Sequence, residues 1–303
     1  VAFTGFQLFR RAPGETDYRA LTAVLAPTTV GFRDVPLVNG GEYSYRLSFV
    51  FLSGLGSHPA EDIASPGAAM PWMIELDGGE LIQLTPDNRH VQVRRGGYGR
   101  ATDVAANPVN GDVWVTDEGS GRVVIFQAGT GVTVSVPGLQ RPIAVAVDPH
   151  NNATAWVCDA GRGRVYHVRR DGQVDALSIG PLNQPVDAAV DPFNGFVWIC
   201  ELGADRVRQY DDAAQFQWAC TVAGPSRVAV DSTTREGWVT SFENGTVTRV
   251  SPSGQVLGTF SGFVAPLGVA VDTRRGRIWI ADPYAGRVTA LHRDGQEEFR
   301  VTG

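Results

Sequence analysis

Lysine is absent from this 303-residue chain: all 26 basic residues are arginine. That bias points to a GC-rich genome or to pressure on surface chemistry, and it assigns no function. Cysteine is scarce. Cys158, Cys200 and Cys220 form no Cys-x-x-Cys pair and no Cys/His spacing suited to zinc. Cys158 and Cys200 each follow a tryptophan by two residues, where Thr116, Thr240 and Ala281 stand in the equivalent places. All three thiols are therefore expected to be free and structural. No apolar run reaches the roughly 18 residues of a spanning helix, and no signal peptide is visible. There is no basic stripe, and the net charge of −6 is made of mixed signs. This argues against nucleic acid or an anionic membrane as the main partner. No window holds a helical period, so the chain reads as all-β.

What the sequence has in place of these is a beat. Trp72, Trp114, Trp156, Trp198, Trp238 and Trp279 are spaced by 42, 42, 42, 40 and 41 residues, with only Trp218 off the period. A period near 40 marks a repeat architecture whose units bury their cores against one another. One repeat, Pro142 to Gly180, contains the runs IAVAVD, AWVCD, RVYHV and QVDALSI between turn residues. Short apolar or alternating runs bounded by turns read as strands, and four in about 40 residues make one propeller blade. An alanine heads the AlaValAsp-like signature of the first strand at Ala105, Ala146, Ala189, Ala229 and Ala270. Small side chains there are expected from crowding around a central axis. Proline opens four of these strands, at Pro142, Pro185, Pro225 and Pro266.

Two further positions keep the beat. Three residues after each tryptophan stand Glu75, Asp117, Asp159, Glu201, Ser241 and Asp282; eight after stand Glu80, Arg122, Arg164, Arg206, Thr246 and Arg287. Acid and arginine occur together in four repeats and are lost together after Trp238. The pairs Asp117–Arg122, Asp159–Arg164, Glu201–Arg206 and Asp282–Arg287 are therefore expected as ion pairs across one hairpin, rather than as a ring of acids in a channel.

The runs VAVDPHNNATAWVCDAGRGRVYHV and GVAVDTRRGRIWIADPYAGRVTAL resemble NHL-type six-bladed β-propeller repeats, over about residues 67–303. The resemblance implies fold more than function, because such propellers include binding modules, scaffolds and enzymes. Residues 1–66 break the beat. Gly5–Arg11, Tyr18–Val24, Asn39–Leu47 and Ser57–Ser65 resemble strands of a fibronectin type III-like, immunoglobulin-like β-sandwich whose first two strands are missing. The segment Ile63-Ala64-Ser65-Pro66 also aligns with the inner strand of blade one, so both units claim it. An incomplete sandwich leaves an open edge, and missing chain, the propeller or a neighbouring subunit is expected to complete it.

Chemistry is thin. No Ser-His-Asp order, phosphate loop or paired-carboxylate motif stands out. Relatives of this propeller type include a zinc-dependent amidating lyase, but His58, His90, His150, His167 and His292 share no repeat position. They are expected at the surface or rim, and neither metal nor cofactor is expected. The starts of the inner strands place Asp103, Ala144, Asp187, Arg227 and Gly268 at one channel mouth. Asp103, Asp187 and Arg227 are the candidate ligand-binding residues, with Asp187 expected to pair with Arg227, and no catalytic residue is assigned. Phe216 and Trp218 form a candidate docking patch on an outer strand, against the favoured alternative that both face the neighbouring blade. Asn152 and Asn244 fit the glycosylation pattern. The expected function is an extracellular or cell-surface binding or scaffolding protein whose partner is a protein or glycan; the alternative is a channel-active lyase or lactone hydrolase.

Overall fold

The computed structural model divides the chain into two compact units, Val1–Met70 and Pro71–Gly303. The division falls at residue 70, not 66. The structure describes residues 3–12, 14–26, 43–51, 54–55, 60–64, 72–75, 79–84, 91–128, 130–149 and 154–302.

The first unit is one antiparallel sheet. Its strands are β1 (Phe3–Arg11), β2 (Arg19–Ala20), β3 (Tyr43–Phe51), β4 (Gly54–Leu55) and β5 (Ala60–Ala64). They run in the order β2-β1-β3-β4, with β5 also on β3. The strand expected over Tyr18–Val24 shrinks to two residues. The contested segment goes to this unit: Ala64 pairs with Tyr43 and Ile63 with Ser44.

The second unit is a β-propeller. Blade one has three strands among the described residues, Trp72–Glu75, Glu80–Leu84 and Val91–Arg95, where four were expected. Its inner strand was the one in dispute, and the described part of that segment is paired elsewhere. Blades two to six each have four antiparallel strands. The inner strands are Ala101–Ala106, Pro142–Val147, Pro185–Val190, Pro225–Val230 and Gly268–Asp272. Each packs beside the next, around the axis.

The strand register explains the tryptophan beat. Trp114, Trp156, Trp198, Trp238 and Trp279 stand directly opposite Ala105, Ala146, Ala189, Ala229 and Ala270 on the inner strands. Directly opposed side chains share one face of a sheet at about 5 Å. An indole therefore leaves room only for a small partner, a more specific reason for alanine than crowding at the axis. The first four of these tryptophans are at most 1% exposed. Each packs forward into the following blade: Trp198 meets Val228 and Val239, and Trp238 meets Ile278 and Ile280. The fit is close enough that a Cβ on Gly237 would lie 2.4 Å from the Trp198 ring. Blade six differs. Trp279 is partly exposed, and Ala281, Val288, Phe299 and Val301 on the same blade face are exposed.

Candidate functional site

The site is built from two kinds of acid. The first follows the tryptophan by three residues and ends the second strand of its blade. Asp117 accepts hydrogen bonds from the backbone N–H groups of Gly99 and Arg100, both at 2.9 Å. Asp159 accepts from Gln140 and Arg141, Glu201 from Asn183, and Asp282 from Val264 and Ala265. All these donors lie in the connectors that enter the inner strands. The acids therefore tie each connector to its own blade. Arginine completes three of the ties: Arg122 to Asp117 at 3.0 Å, Arg206 to Glu201 at 2.6 Å and Arg287 to Asp282 at 2.9 Å. Arg122 and Arg287 also donate to the connector carbonyls of Gly97 and Gly262.

The fourth expected pair is corrected. Arg164 turns to the outer strand, where it donates to Ser178 Oγ. The cation near Asp159 is Arg162, at 3.9 Å. Asp159 accepts three backbone N–H groups, from Gln140, Arg141 and Arg162, as Asp117 does from Gly99, Arg100 and Ser120, so its carboxylate is satisfied without Arg164. In blade five, which lacks both partners, Ser241 Oγ and Asn244 Nδ2 both donate to the Ala223 carbonyl and hold the connector instead. The joint loss of acid and arginine is thus the replacement of one clamp by another.

Burial pushes the Asp117, Glu201 and Asp282 carboxyls up, but their hydrogen bonds outweigh it and hold all three below the usual carboxylate range.

The second kind of acid lies deeper, on the inner strands. Asp103 Oδ2 accepts the Val145 N–H of the next blade at 2.8 Å, and Asp187 Oδ2 accepts the Val228 N–H of the next blade at 2.7 Å. Arg227 donates through Nη1 to the carbonyls of Val186 and Ser226. The expected Asp187–Arg227 ion pair is absent among the described residues, because backbone groups have taken both partners. The two interact through space all the same. Burial drives the Asp187 carboxyl up to about 7 against the pull of Arg227, and Asp103 adds to the rise. Burial raises Asp103 too, with the Val145 N–H and Arg227 opposing. Cys200 stands directly opposite Asp187. Burial and the nearby acids push the Cys158 and Cys200 thiols up, so neither is a nucleophile at neutral pH. Among the described residues, no three His, Cys, Asp or Glu side chains converge to hold a metal ion.

Because the sheets are antiparallel, connectors and second-to-third hairpins share the end of the propeller at which the inner strands begin. In blade six that rim carries an apolar patch, next to the half-buried Phe242 and the exposed Glu243 and Asn244 of blade five. Tyr284 is 73% exposed and meets Phe242 edge-on at 5.7 Å; Val264 and Leu267 are exposed beside them in the connector. Blades two and three present charge at the same level: Arg100 and Arg141 both pair with Glu118.

The remaining sequence candidates fall as follows. Trp218 is no docking residue: its Nε1 donates to the Pro252 carbonyl at 2.8 Å and its ring meets Trp198 edge-on, so it packs under the next blade. Phe216 remains exposed, at 56%. His167, expected at the rim, is buried against Trp156 and bonded to Asp175 at 2.8 Å. Asn244 is exposed, with its amide engaged as described above. Asn152 lies outside the described residues. The sequence reading missed the ion pairs between blades: Arg170 to Asp112, Arg235 to Asp191 at 3.0 Å and Arg293 to Asp231 at 2.5 Å. Asp191 and Asp231 belong to the repeated AlaValAsp signature, but their arginines share no repeat position.

The fold is that of a β-propeller, one repeat of which matches a family model. Residues 98–126, the connector and first three strands of blade two, match the NHL repeat family. Virginiamycin B lyase from Staphylococcus aureus is similar in structure: TM-score 0.66 at 12% identity, over 77% of this chain and 80% of that one. A chain of a nidogen/laminin complex is also similar: TM-score 0.59 at 14% identity, over 77% of this chain and 92% of that one. No curated protein matches by sequence. At these identities the likeness extends to fold alone. Among the described residues no helix is long and apolar enough to cross a membrane.

Proposed function

We propose that the chain is an extracellular or cell-surface binding propeller of six blades that takes a protein or glycan partner at the mouth formed by its connectors. One observation carries this reading: the rim on which exposed Tyr284, Val264 and Leu267 stand with half-buried Phe242. Exposed aromatics on a rigid scaffold are the usual anchors of a protein interface. Asp103 and Asp187 beneath point the same way, because each gives an oxygen to the neighbouring blade and so serves assembly. The sheet order β2-β1-β3-β5 is that of one half of an immunoglobulin-type sandwich. It supports a fibronectin type III-like reading of the first unit, which suits a surface protein and could be completed by a neighbouring subunit.

A panel of purified matrix proteins and surface glycans titrated onto the immobilised chain tests the reading. Tyr284→Asp should weaken any hit by at least about tenfold, a loss of about 1.4 kcal/mol. Undiminished binding by Tyr284→Asp would move the partner off this rim.

The rival is a lyase or lactone hydrolase acting in the channel. Asp187 favours it, since a carboxyl that titrates near 7 suits general acid–base work. Incubation with quinupristin, the ligand of an inactive virginiamycin B lyase variant of similar fold, decides between them. Quinupristin converted to a new product by the parent chain and not by Asp187→Asn would establish the rival.

A further inference from the structure

The six tryptophans of the repeat do not share one environment. Trp114, Trp156, Trp198 and Trp238 are at most 1% exposed, whereas Trp72 and Trp279 are partly exposed. These two flank one place in the ring. The five inner strands pack each beside the next, from Ala101–Ala106 round to Gly268–Asp272. Between the last and the first belongs the inner strand of blade one. Among the described residues no strand pairs with that edge of Trp72–Glu75, whose other edge is taken by Glu80–Leu84. The segment whose sequence aligns there, Ala60–Ala64, is paired with Tyr43–Leu47 in the first unit.

The side chains on both walls of this place are uncovered. One residue after the tryptophan, Val115, Val157, Ile199, Val239 and Ile280 are fully buried, but Met73 is 47% exposed. Of the five inner-strand alanines only Ala270, in blade six, is exposed. A backbone donor is uncovered as well. The Val145 and Val228 N–H groups go to the acids of the preceding blades, Asp103 and Asp187. The Val104 N–H instead turns back to its own Asp103 Oδ1 at 2.9 Å. The Ala188 N–H also bonds its own aspartate, and the blade before it offers only Ala144 in that position.

The repeat register defines what fits. In the other blades an alanine stands opposite the tryptophan, and the residue before it stands opposite the position of Met73: Val104 faces Val115, Val228 faces Val239 and Val269 faces Ile280. That residue also meets the tryptophan of the preceding blade, as Val228 meets Trp198. An acid one residue earlier reaches the N–H of the following blade, as Asp103 reaches Val145. An open strand edge supplies main-chain hydrogen bonds to an added strand, and alternate side chains supply the specificity.

We propose that the inner edge of blade one binds an extended segment of a partner protein, antiparallel to Trp72–Glu75, that carries the pattern Asp-Val-Ala. Its alanine lies beside Trp72, its valine between Met73 and Trp279, and its aspartate takes the Val104 N–H. The site continues the interface that joins the other blades, and it uses no residue of the apolar rim at the connectors.

Fluorescence anisotropy on the full chain tests this, with a labelled peptide that copies Arg100–Val109, the blade-two segment containing Asp103-Val104-Ala105, as the probe. The peptide should bind saturably and slow hydrogen exchange at Trp72–Glu75. The same peptide carrying Ala105→Trp should bind at least about tenfold more weakly, because two indoles cannot share the place of one indole and a methyl group. Trp279→Ala in the protein should weaken the parent peptide in the same way. If that variant fails to fold, Met73→Glu at its exposed position decides. Tyr284→Asp should leave the peptide unaffected, so failure at the connector rim and failure here are separable. No binding, whether because this chain's own residues or a second copy already hold the edge, would overturn the proposal. So would equal binding of the Ala105→Trp peptide, or binding undiminished in the protein variants.

Discussion

Glu201→Gln should lower the melting temperature more than any other conservative change in the clamps. The Glu201 side chain is 1% exposed. It takes Arg206 through two bonds, at 2.6 and 3.0 Å, and the Asn183 N–H through a third. Arg208 Nε lies 2.8 Å from the same carboxylate, off the line of a hydrogen bond. The amide removes the charge while two guanidiniums stay in place, the second only 18% exposed. Breaking a buried ion pair from one side costs about 3–5 kcal/mol, or a fall in Tm on the order of 10 °C at this size. The pH dependence supplies a second check. The folded carboxyl titrates below its ordinary 4.5, so its contribution is complete above that value and is lost as pH falls through the folded pKa. The gap between parent and variant should be full at neutral pH and close in acid. A gap independent of pH would show that packing, not charge, is what the glutamate supplies.

Asp187→Asn should do the reverse and stabilise the protein, though only on the alkaline side. The folded Asp187 carboxyl titrates at about 7, against 3.8 ordinarily. Between those values the folded state holds a proton that the unfolded state has released. Stability therefore falls as pH rises from about 4 to about 7 and is flat beyond. Asparagine can still accept the Val228 N–H, and it resembles the protonated acid. Near pH 4 parent and variant should unfold alike. At pH 8 the variant should lead by an amount on the order of 4 kcal/mol, the free-energy equivalent of the shift. Urea titrations at the two pH values measure the difference. A variant that is less stable at both would mean that the ionised aspartate is a net asset where it lies.

Much of this construction was legible in the sequence. Six tryptophans at a near-constant spacing gave the blade count and strand order, and each inner-strand alanine proved to be the neighbour its tryptophan requires. The coupled acid and arginine could be read as partners because Ser241 and Thr246 change together. What the acids hold could not be read, because the Gly99, Gln140, Asn183 and Val264 donors are main-chain N–H groups that leave no mark on composition. The same limit explains Asp187 and Arg227. Their adjacency was visible, but not that backbone groups would take both. His167 was misplaced because an isolated histidine on a strand does not declare its face, whereas Trp218 took the neighbouring-blade alternative.

The clamps also bear on how freely this chain can vary. Asp103 and Asp187 grip the next blade by its peptide N–H, and the hairpin acids grip their connectors in the same way. A peptide N–H is offered by every residue except proline. The receiving segment therefore needs the right backbone path and no particular side chain. Behind a shared glycine, Gly97 or Gly262, connectors as unlike as Tyr98-Gly99-Arg100 and Phe263-Val264-Ala265 lie under the same kind of acid. The propeller can accumulate new chemistry at its mouth, one connector at a time, without renegotiating the contacts that hold its blades in order.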